Sequence, residues 1–198
     1  MINRKMIGRV LGMLLFIELG MFLLCAGVSF TSFGMLPFYF SGSIDTITNA
    51  FFETMSGFTT TGATILDDIE SLSHGMLFWR SLTQWIGGLG IVFFTIAILP
   101  IFTTGGVQLF SAESTGVTHD RTHPKINVMA KWLWTIYLVL TISETVLLMF
   151  GGMSLFDAIC QSFATTATGG YSTKQNSISY WNSPYIEYVV AIFMIVSS

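Results

Sequence analysis

The stretch SGFTTTGATI, residues 56–65, interrupts an otherwise apolar part of the chain with three consecutive threonines and a glycine. It lies between two apolar runs, residues 6–35 and 77–102, each long enough to cross a bilayer. Lipid offers no hydrogen bonds, so irregular backbone at membrane depth is tolerated only inside protein or beside a water-filled cavity. The stretch therefore predicts a re-entrant loop that lines a polar pathway.

The composition identifies the class of protein. Hydrophobic residues make up 52% of the chain and charged residues only 10%, values foreign to an ordinary soluble domain. Further apolar runs cover residues 132–153 and 185–198, and the last is shorter than the roughly 20 residues that a spanning helix needs. We predict an all-α integral membrane protein, and we expect this sequence to be part of a longer chain.

The placement of charge predicts the orientation in the membrane. Two basic clusters flank the first two runs and fall on the same side: Arg4, Lys5 and Arg9, then Arg121, Lys125 and Lys131. By the positive-inside rule that side, with the N-terminus, is cytoplasmic. The segments left outside are mainly acidic, which raises the local concentration of cations. Their charged residues are Asp45, Glu53, Asp67, Asp68, Glu70 and Asp157 against Lys174.

The outer segments contain an internal repeat. IDTITNAFFETMSGFTTTGA and SLFDAICQSFATTATGGYS share the same order of parts: a polar start, an apolar helix-like stretch, then threonines and glycine. Asn49 pairs with Asp157 and Gly62 with Gly170 at one offset, 108 residues. Each repeat is predicted to run as outer helix, re-entrant half-helix with its loop, and inner helix. Asn49 and Asp157 fit the N-cap position of the half-helices.

The loop chemistry favours a monovalent cation. A half-helix that enters from outside points its partially negative carbonyl end toward the membrane centre. Glycine frees the backbone, threonine adds an uncharged hydroxyl oxygen, and converging carbonyl oxygens can replace the water shell of an ion. Residues 59–64 and 167–172 contain no carboxylate, which argues against a divalent ion.

Three segments closely resemble the TrkH subunits of the Trk/Ktr/HKT superfamily of potassium transport proteins. They are FFETMSGFTTTGATIL, LFWRSLTQWIGGLGIVFFTIAILP and FATTATGGYSTK, and the resemblance covers nearly all of residues 45–198. It implies four linked repeats of helix, pore loop and helix, related to potassium channels, of which this sequence holds the first and most of the second. It also implies potassium transport across the bacterial inner membrane by a gated, channel-like pore subunit that is not an enzyme and needs no cofactor.

The resemblance implies two filter segments and their support. The filter residues are Thr59, Thr60, Thr61, Gly62 and Ala63 in the first repeat, and Ala167, Thr168, Gly169, Gly170 and Tyr171 in the second. Potassium is expected at Thr60, Thr61, Thr168 and Gly169, with either Gly169 or Gly170 supplying the central carbonyl. The supporting residues are Glu53, Arg80, Asn49 and Asp157. Glu53 either anchors the filter or contacts the ion. Arg80 either snorkels to the interface or braces a pore loop.

The sequence predicts four regions. Residues 1–36 form an N-terminal helix region, which is the first outer helix, either shortened or joined to an extra hairpin helix. Residues 37–104 hold the first pore loop and inner helix, residues 105–130 a cytoplasmic linker, and residues 131–198 the second repeat. The resemblance implies that the linker meets a cytosolic nucleotide-binding ring protein similar to TrkA, although a plain connector is the alternative. We expect a homodimer and no nucleic-acid partner. The alternative functions are a proton- or sodium-coupled symporter, a non-conducting assembly fragment and an intramembrane enzyme.

Overall fold

The computed structural model describes residues 27–90 and 122–197, and these residues form helices joined by turns and loops, with no β-strand among them. The chain divides into two units, Met1–Thr54 and Met55–Ser198. Most of the first predicted span, the inner end of the second and most of the predicted linker lie outside the described residues. So do Arg4, Lys5, Arg9 and Arg121, on which the predicted orientation depends.

The helices follow one another with short connections. In chain order they are α1 (27–34), α2 (Leu36–Phe40), α3 (Ile47–Phe58), α4 (74–90), α5 (Thr122–Phe150), α6 (Leu155–Thr166), a 3-10 turn (Ser177–Trp181) and α7 (Pro184–Ser197), with α1 and α4 given as far as the described residues extend. The boundary between the two units falls inside α3.

α5 is the long apolar helix of the structure. Within the described ranges, its segment Lys131–Phe150 is the one stretch long and apolar enough to cross a membrane. α5 begins at Thr122, inside the segment that the sequence assigns to the linker, and Pro124 is compatible with a first helical turn. α7 is also apolar but has 14 residues in the structure.

α5, α6 and α7 share a small apolar core. Its buried side chains are Leu148, Met153, Ala158, Ile186, Val189 and Val190. Hydroxyl contacts supplement the packing: Thr145 and Ser162 are 2.7 Å apart, and the Thr141 hydroxyl lies 3.4 Å from that of Thr166. Such contacts between helices stabilise membrane bundles. The half-helix α6 is therefore held firmly against the long helix α5.

The starts of α3 and α6 correct the predicted N-caps. Ser154 caps α6 because it has extended backbone, with ψ 152°, and its hydroxyl accepts a hydrogen bond from the Asp157 amide at 3.1 Å. The same hydroxyl donates to the Asp157 carboxylate at 2.7 Å. In α3 the Asn49 amide lies 3.4 Å from the Thr46 hydroxyl. Asn49 and Asp157 thus lie three residues after Thr46 and Ser154, inside their helices, and the N-cap prediction was wrong for both.

Candidate functional site

The two half-helices and the loops that follow them have the same local structure. α3 covers residues 47–58 and α6 covers residues 155–166, so their bounds differ by 108 at both ends. We call residues 59–63 loop 1 and residues 167–171 loop 2. The Thr60 amide bonds to the Gly57 carbonyl at 3.0 Å, and the Thr168 amide bonds to the Thr165 carbonyl at 2.8 Å. Each helix therefore ends in the same turn.

In both loops, residues with left-handed backbone (positive φ) alternate with residues that have negative φ. Thr60 and Thr168 have φ values of 54° and 53°, and Gly62 and Gly170 have φ values of 78° and 86°. Glycine adopts this conformation freely, whereas it costs a threonine about 1–2 kcal/mol. Strain of this kind clusters at ligand sites. Alternating left- and right-handed residues turn successive N–H groups to one side, which leaves the carbonyl groups facing the other.

The structure brings the two predicted filter segments together. Gly62 lies so close to the Gly169 carbonyl that a Cβ atom at Gly62 would overlap its oxygen. The Tyr171 hydroxyl donates to the Ala63 carbonyl at 3.4 Å. The two loops thus contact each other through backbone oxygen atoms and a tyrosine.

The segments that follow the loops are also joined. The Lys174 ammonium lies 3.3 Å from a carboxylate oxygen of Glu70. The Ile69 amide donates to the side-chain oxygen of Gln175 at 3.1 Å. These contacts tie the chain after loop 1 to the chain after loop 2.

Loop 1 contains hydrogen bonds made by its own threonines. The hydroxyl groups of Thr59 and Thr61 are 2.8 Å apart, and the Thr59 hydroxyl also donates to the Met55 carbonyl at 2.8 Å. Both side chains are exposed in the structure. These hydroxyls therefore stabilise the turn in addition to offering oxygen atoms.

Loop 2 is braced by Arg80 of α4. Arg80 is 2% exposed, and its guanidinium donates to the Ser172 carbonyl at 2.9 Å. Its central carbon lies 3.7 Å from the centre of the Tyr171 ring, a cation–π distance. Of the two alternatives for Arg80, this buried position fits the brace and not the snorkelling side chain.

Asp157 connects the start of α6 to the chain after loop 2. Its carboxylate accepts a hydrogen bond from the Thr173 hydroxyl at 2.6 Å. Asn49 and Glu53 belong to the first unit; Asn49 is half-buried and Glu53 is fully buried. A supporting role for these two residues stays a prediction.

The sequence reasoning missed Gln84. This residue of α4 is fully buried, and its side-chain oxygen accepts a hydrogen bond from the Tyr171 amide at 3.2 Å. Gln84 follows Arg80 by one helical turn, so both side chains lie on one face of α4. That spacing was present in the motif LFWRSLTQW and could have indicated a shared role.

The loops offer uncharged oxygen atoms as ligands. In the part of the chain that the structure describes, no group of three or more His, Cys, Asp or Glu side chains is placed to hold a metal ion. The ends of α3 and α6 lead directly into the loops, and helix C-termini carry about half a negative charge. The arrangement suits a weakly held cation that is bound by carbonyl groups.

Comparison with known sequences gives consistent matches. The family model for TrkH, described as a cation transport protein, matches residues 20–198. The chain is 51% identical over 168 residues to the Trk system potassium uptake protein TrkH of Escherichia coli K12, covering 84% of this chain and 35% of that protein. It is 36% identical over 173 residues to TrkG of the same strain, covering 86% of this chain and 36% of TrkG. The chain thus spans about a third of the length of these relatives.

A solved structure matches as well. The crystal structure of the potassium transporter TrkH from Vibrio parahaemolyticus aligns with a TM-score of 0.74 and 37% sequence identity. The alignment covers 88% of this chain and 34% of that chain. The likeness therefore extends over most of the chain.

Proposed function

Because this chain belongs to the TrkH family of cation transport proteins, we propose that it forms two walls of a potassium-selective pore in the bacterial inner membrane. Loop 1 and loop 2 line the pathway, and potassium is the transported ion. The observation that carries the proposal is the alternation of backbone hand that both loops share, at residues 60–62 and 168–170. Its relatives are transport proteins and not enzymes, so the enzyme alternative is excluded.

The mechanism is the exchange of water for backbone oxygen. A potassium ion that enters from the outer side loses its water shell to the carbonyl groups of the two loops. The partial negative charge at the ends of α3 and α6 favours the cation there, and the absence of a carboxylate in the loops keeps binding weak enough for release. Gly170 matches Gly62 in position and in left-handed φ, which supports Gly170 as its counterpart in the filter.

Family membership supports the finer parts of this proposal. The N-terminus is cytoplasmic, the loops open to the outside, and the protein acts as a homodimer. A cytosolic nucleotide-binding ring protein similar to TrkA docks on the cytoplasmic linker and controls opening. A coupled symporter would use the same loops but would need a co-transported ion. Uptake that stops when the proton or sodium gradient alone is removed would favour that alternative.

Rubidium uptake tests the proposed function. The native-length protein is expressed in cells that lack their own potassium uptake, and rubidium uptake is measured against increasing sodium. We expect selective uptake by the wild type and weaker preference over sodium in Gly62→Ser and in Gly170→Ser. Gly75→Ser is the matched control, because a Cβ atom there meets nothing within 4 Å and Gly75 has no positive φ. Unchanged ion preference in both filter variants would remove the basis of the filter assignment.

A further inference from the structure

Gln84 of α4 contacts loop 2 through one of the loop's backbone N–H groups, that of Tyr171. Its side-chain oxygen accepts the Tyr171 amide hydrogen at 3.2 Å. The side-chain oxygen is occupied by this N–H group, and the Nε2 end of the amide can only donate, so neither end is placed to bind a cation. The residue therefore does not touch the ion in the proposed pore, and any effect that it has on the ion passes through the backbone of the loop.

The Gln84 amide is packed against loop 2 and lies near loop 1. Gly169 lies so close to it that a Cβ atom on Gly169 would overlap the side-chain amide. A Cβ atom built on Gly62 of loop 1 would lie 3.7 Å from Gln84 Nε2. One buried side chain of α4 thus reaches loop 2 directly and approaches the glycine of loop 1.

Half of this amide has no hydrogen-bond partner among the described residues. Gln84 is fully buried, and its Nε2 atom donates to no acceptor in that part of the chain. Buried polar groups without partners are rare, and each one calls for an explanation. The amide is oriented by the Tyr171 hydrogen bond, which leaves the Nε2 hydrogens beside the contact of Gly62 with Gly169.

We propose that Gln84 is a positioning residue that sets the spacing of loops 1 and 2 and thereby the preference for potassium over sodium. A carbonyl site distinguishes the two ions through its size and through the number of oxygen atoms that it can bring to the ion. The Gln84 amide fixes loop 2 through Tyr171 and keeps Gly62 and Gly169 at their distance. This inference rests on the proposed function, because it requires that the two loops line the pathway.

The main test replaces Gln84 by methionine, which has a similar length and no amide. We expect Gln84→Met to lower the preference for rubidium over sodium by up to about tenfold, the change that corresponds to one buried hydrogen bond. Gln84→Glu retains an oxygen that can accept the Tyr171 amide hydrogen, and it is expected to keep more of the preference than Gln84→Met does. The readout is the ion ratio, and the comparison of Gln84→Met with Gln84→Glu separates the loss of the hydrogen bond from a change in packing.

Ser81→Ala is the matched control on the same helix. Ser81 is also buried, and its hydroxyl donates to the Leu77 carbonyl of its own helix at 3.1 Å. We expect this variant to keep the wild-type ratio. If Gln84→Met fails to accumulate in the membrane, Gln84→Asn replaces it, since the shorter amide cannot reach the same positions and should lower the ratio as well.

The outcomes separate the two proposals. A wild-type protein without any preference for rubidium over sodium contradicts the proposed function itself. A selective wild type together with a wild-type ratio in Gln84→Met, or in Gln84→Asn where that variant is used, overturns the inference about Gln84 and leaves the filter assignment intact. A fall in the ratio in Ser81→Ala as large as that in Gln84→Met also overturns it, because any disturbance of α4 would then have the same effect.

Discussion

Loop 1 and loop 2 share their backbone conformation, but the side chains that hold them differ. At the 108-residue offset, Thr59 and Thr61 correspond to Ala167 and Gly169, which have no hydroxyl group. Loop 2 is instead held by Arg80 and Gln84 of α4, through the Ser172 carbonyl and the Tyr171 amide. The two loops thus share a backbone conformation, whereas the hydrogen bonds that the structure describes around them differ.

The largest effect on ion preference is expected at Gly62, where a side chain would overlap a neighbouring backbone atom. Gly62→Ala forces a Cβ atom into the Gly169 carbonyl and also into a left-handed φ. A Cβ atom on Gly170 would meet no atom within 4 Å. Gly170→Ala therefore costs only the conformational energy of a left-handed φ, about 1–2 kcal/mol. We expect Gly62→Ala to lower the preference for rubidium over sodium more than Gly170→Ala does. Equal loss in the two variants would show that close contact between the loops is not the reason.

The next effect concerns the brace of loop 2. Arg80→Leu removes a hydrogen bond from a charged donor, which contributes about 1.5–3 kcal/mol, together with the contact to the Tyr171 ring. Arg80→Lys keeps the charge but loses the planar guanidinium group. We expect both variants to lower the thermal stability of the purified protein and the ion preference, Leu more than Lys. Thr135→Val, at an exposed position on α5, is the control.

A smaller effect is expected in loop 1. Thr61→Val removes the contact between the Thr59 and Thr61 hydroxyls, while Thr59 keeps its bond to the Met55 carbonyl. The loss of about 1 kcal/mol predicts a few-fold fall in ion preference, measured by the same uptake assay. Thr135→Val, an exposed threonine bonded within α5, is the control. A Thr61→Val effect larger than that of Arg80→Leu would reverse the proposed difference between the two loops.

The smallest effect is expected outside the loops. Lys174 and Glu70 form an ion pair whose side chains are partly exposed, and such pairs contribute about 1 kcal/mol at most. Lys174→Ala should change the melting temperature only slightly, and less at high salt, because exposed charges are screened. If Lys174→Ala lowered the melting temperature as much as Arg80→Leu does, and equally at low and high salt, the ion pair of Lys174 with Glu70 would determine how the loops meet.

The positions of loops 1 and 2 could be predicted from the sequence, but their contacts with each other and with α4 could not. The offset that relates Gly62 to Gly170 can be read from residue types alone, and the structure has the same backbone hand at both positions. The N-cap prediction failed because Asp and Asn suit the cap position by residue type, whereas hydroxyl side chains three residues earlier, on Thr46 and Ser154, contact the amides of Asn49 and Asp157.

The roles of Arg80 and Gln84 could not be read from the sequence in the same way. Both depend on loop 2 folding back onto α4, and Arg80 is 92 residues from its partner Ser172 along the chain. An arginine near the end of an apolar run fits an interfacial side chain equally well. Only the packing of α4 against loop 2 distinguishes an arginine at the membrane interface from a buried arginine that holds the loop.

The central claim is that the carbonyl groups of both loops hold the same ion. Anomalous X-ray diffraction from crystals of the native-length protein soaked in rubidium tests it most directly. We predict rubidium density in direct contact with carbonyl oxygens of residues 60–62 and 168–170 together. Density that contacts only one of the loops, or that lies instead at carboxylates such as Glu53, would contradict the account.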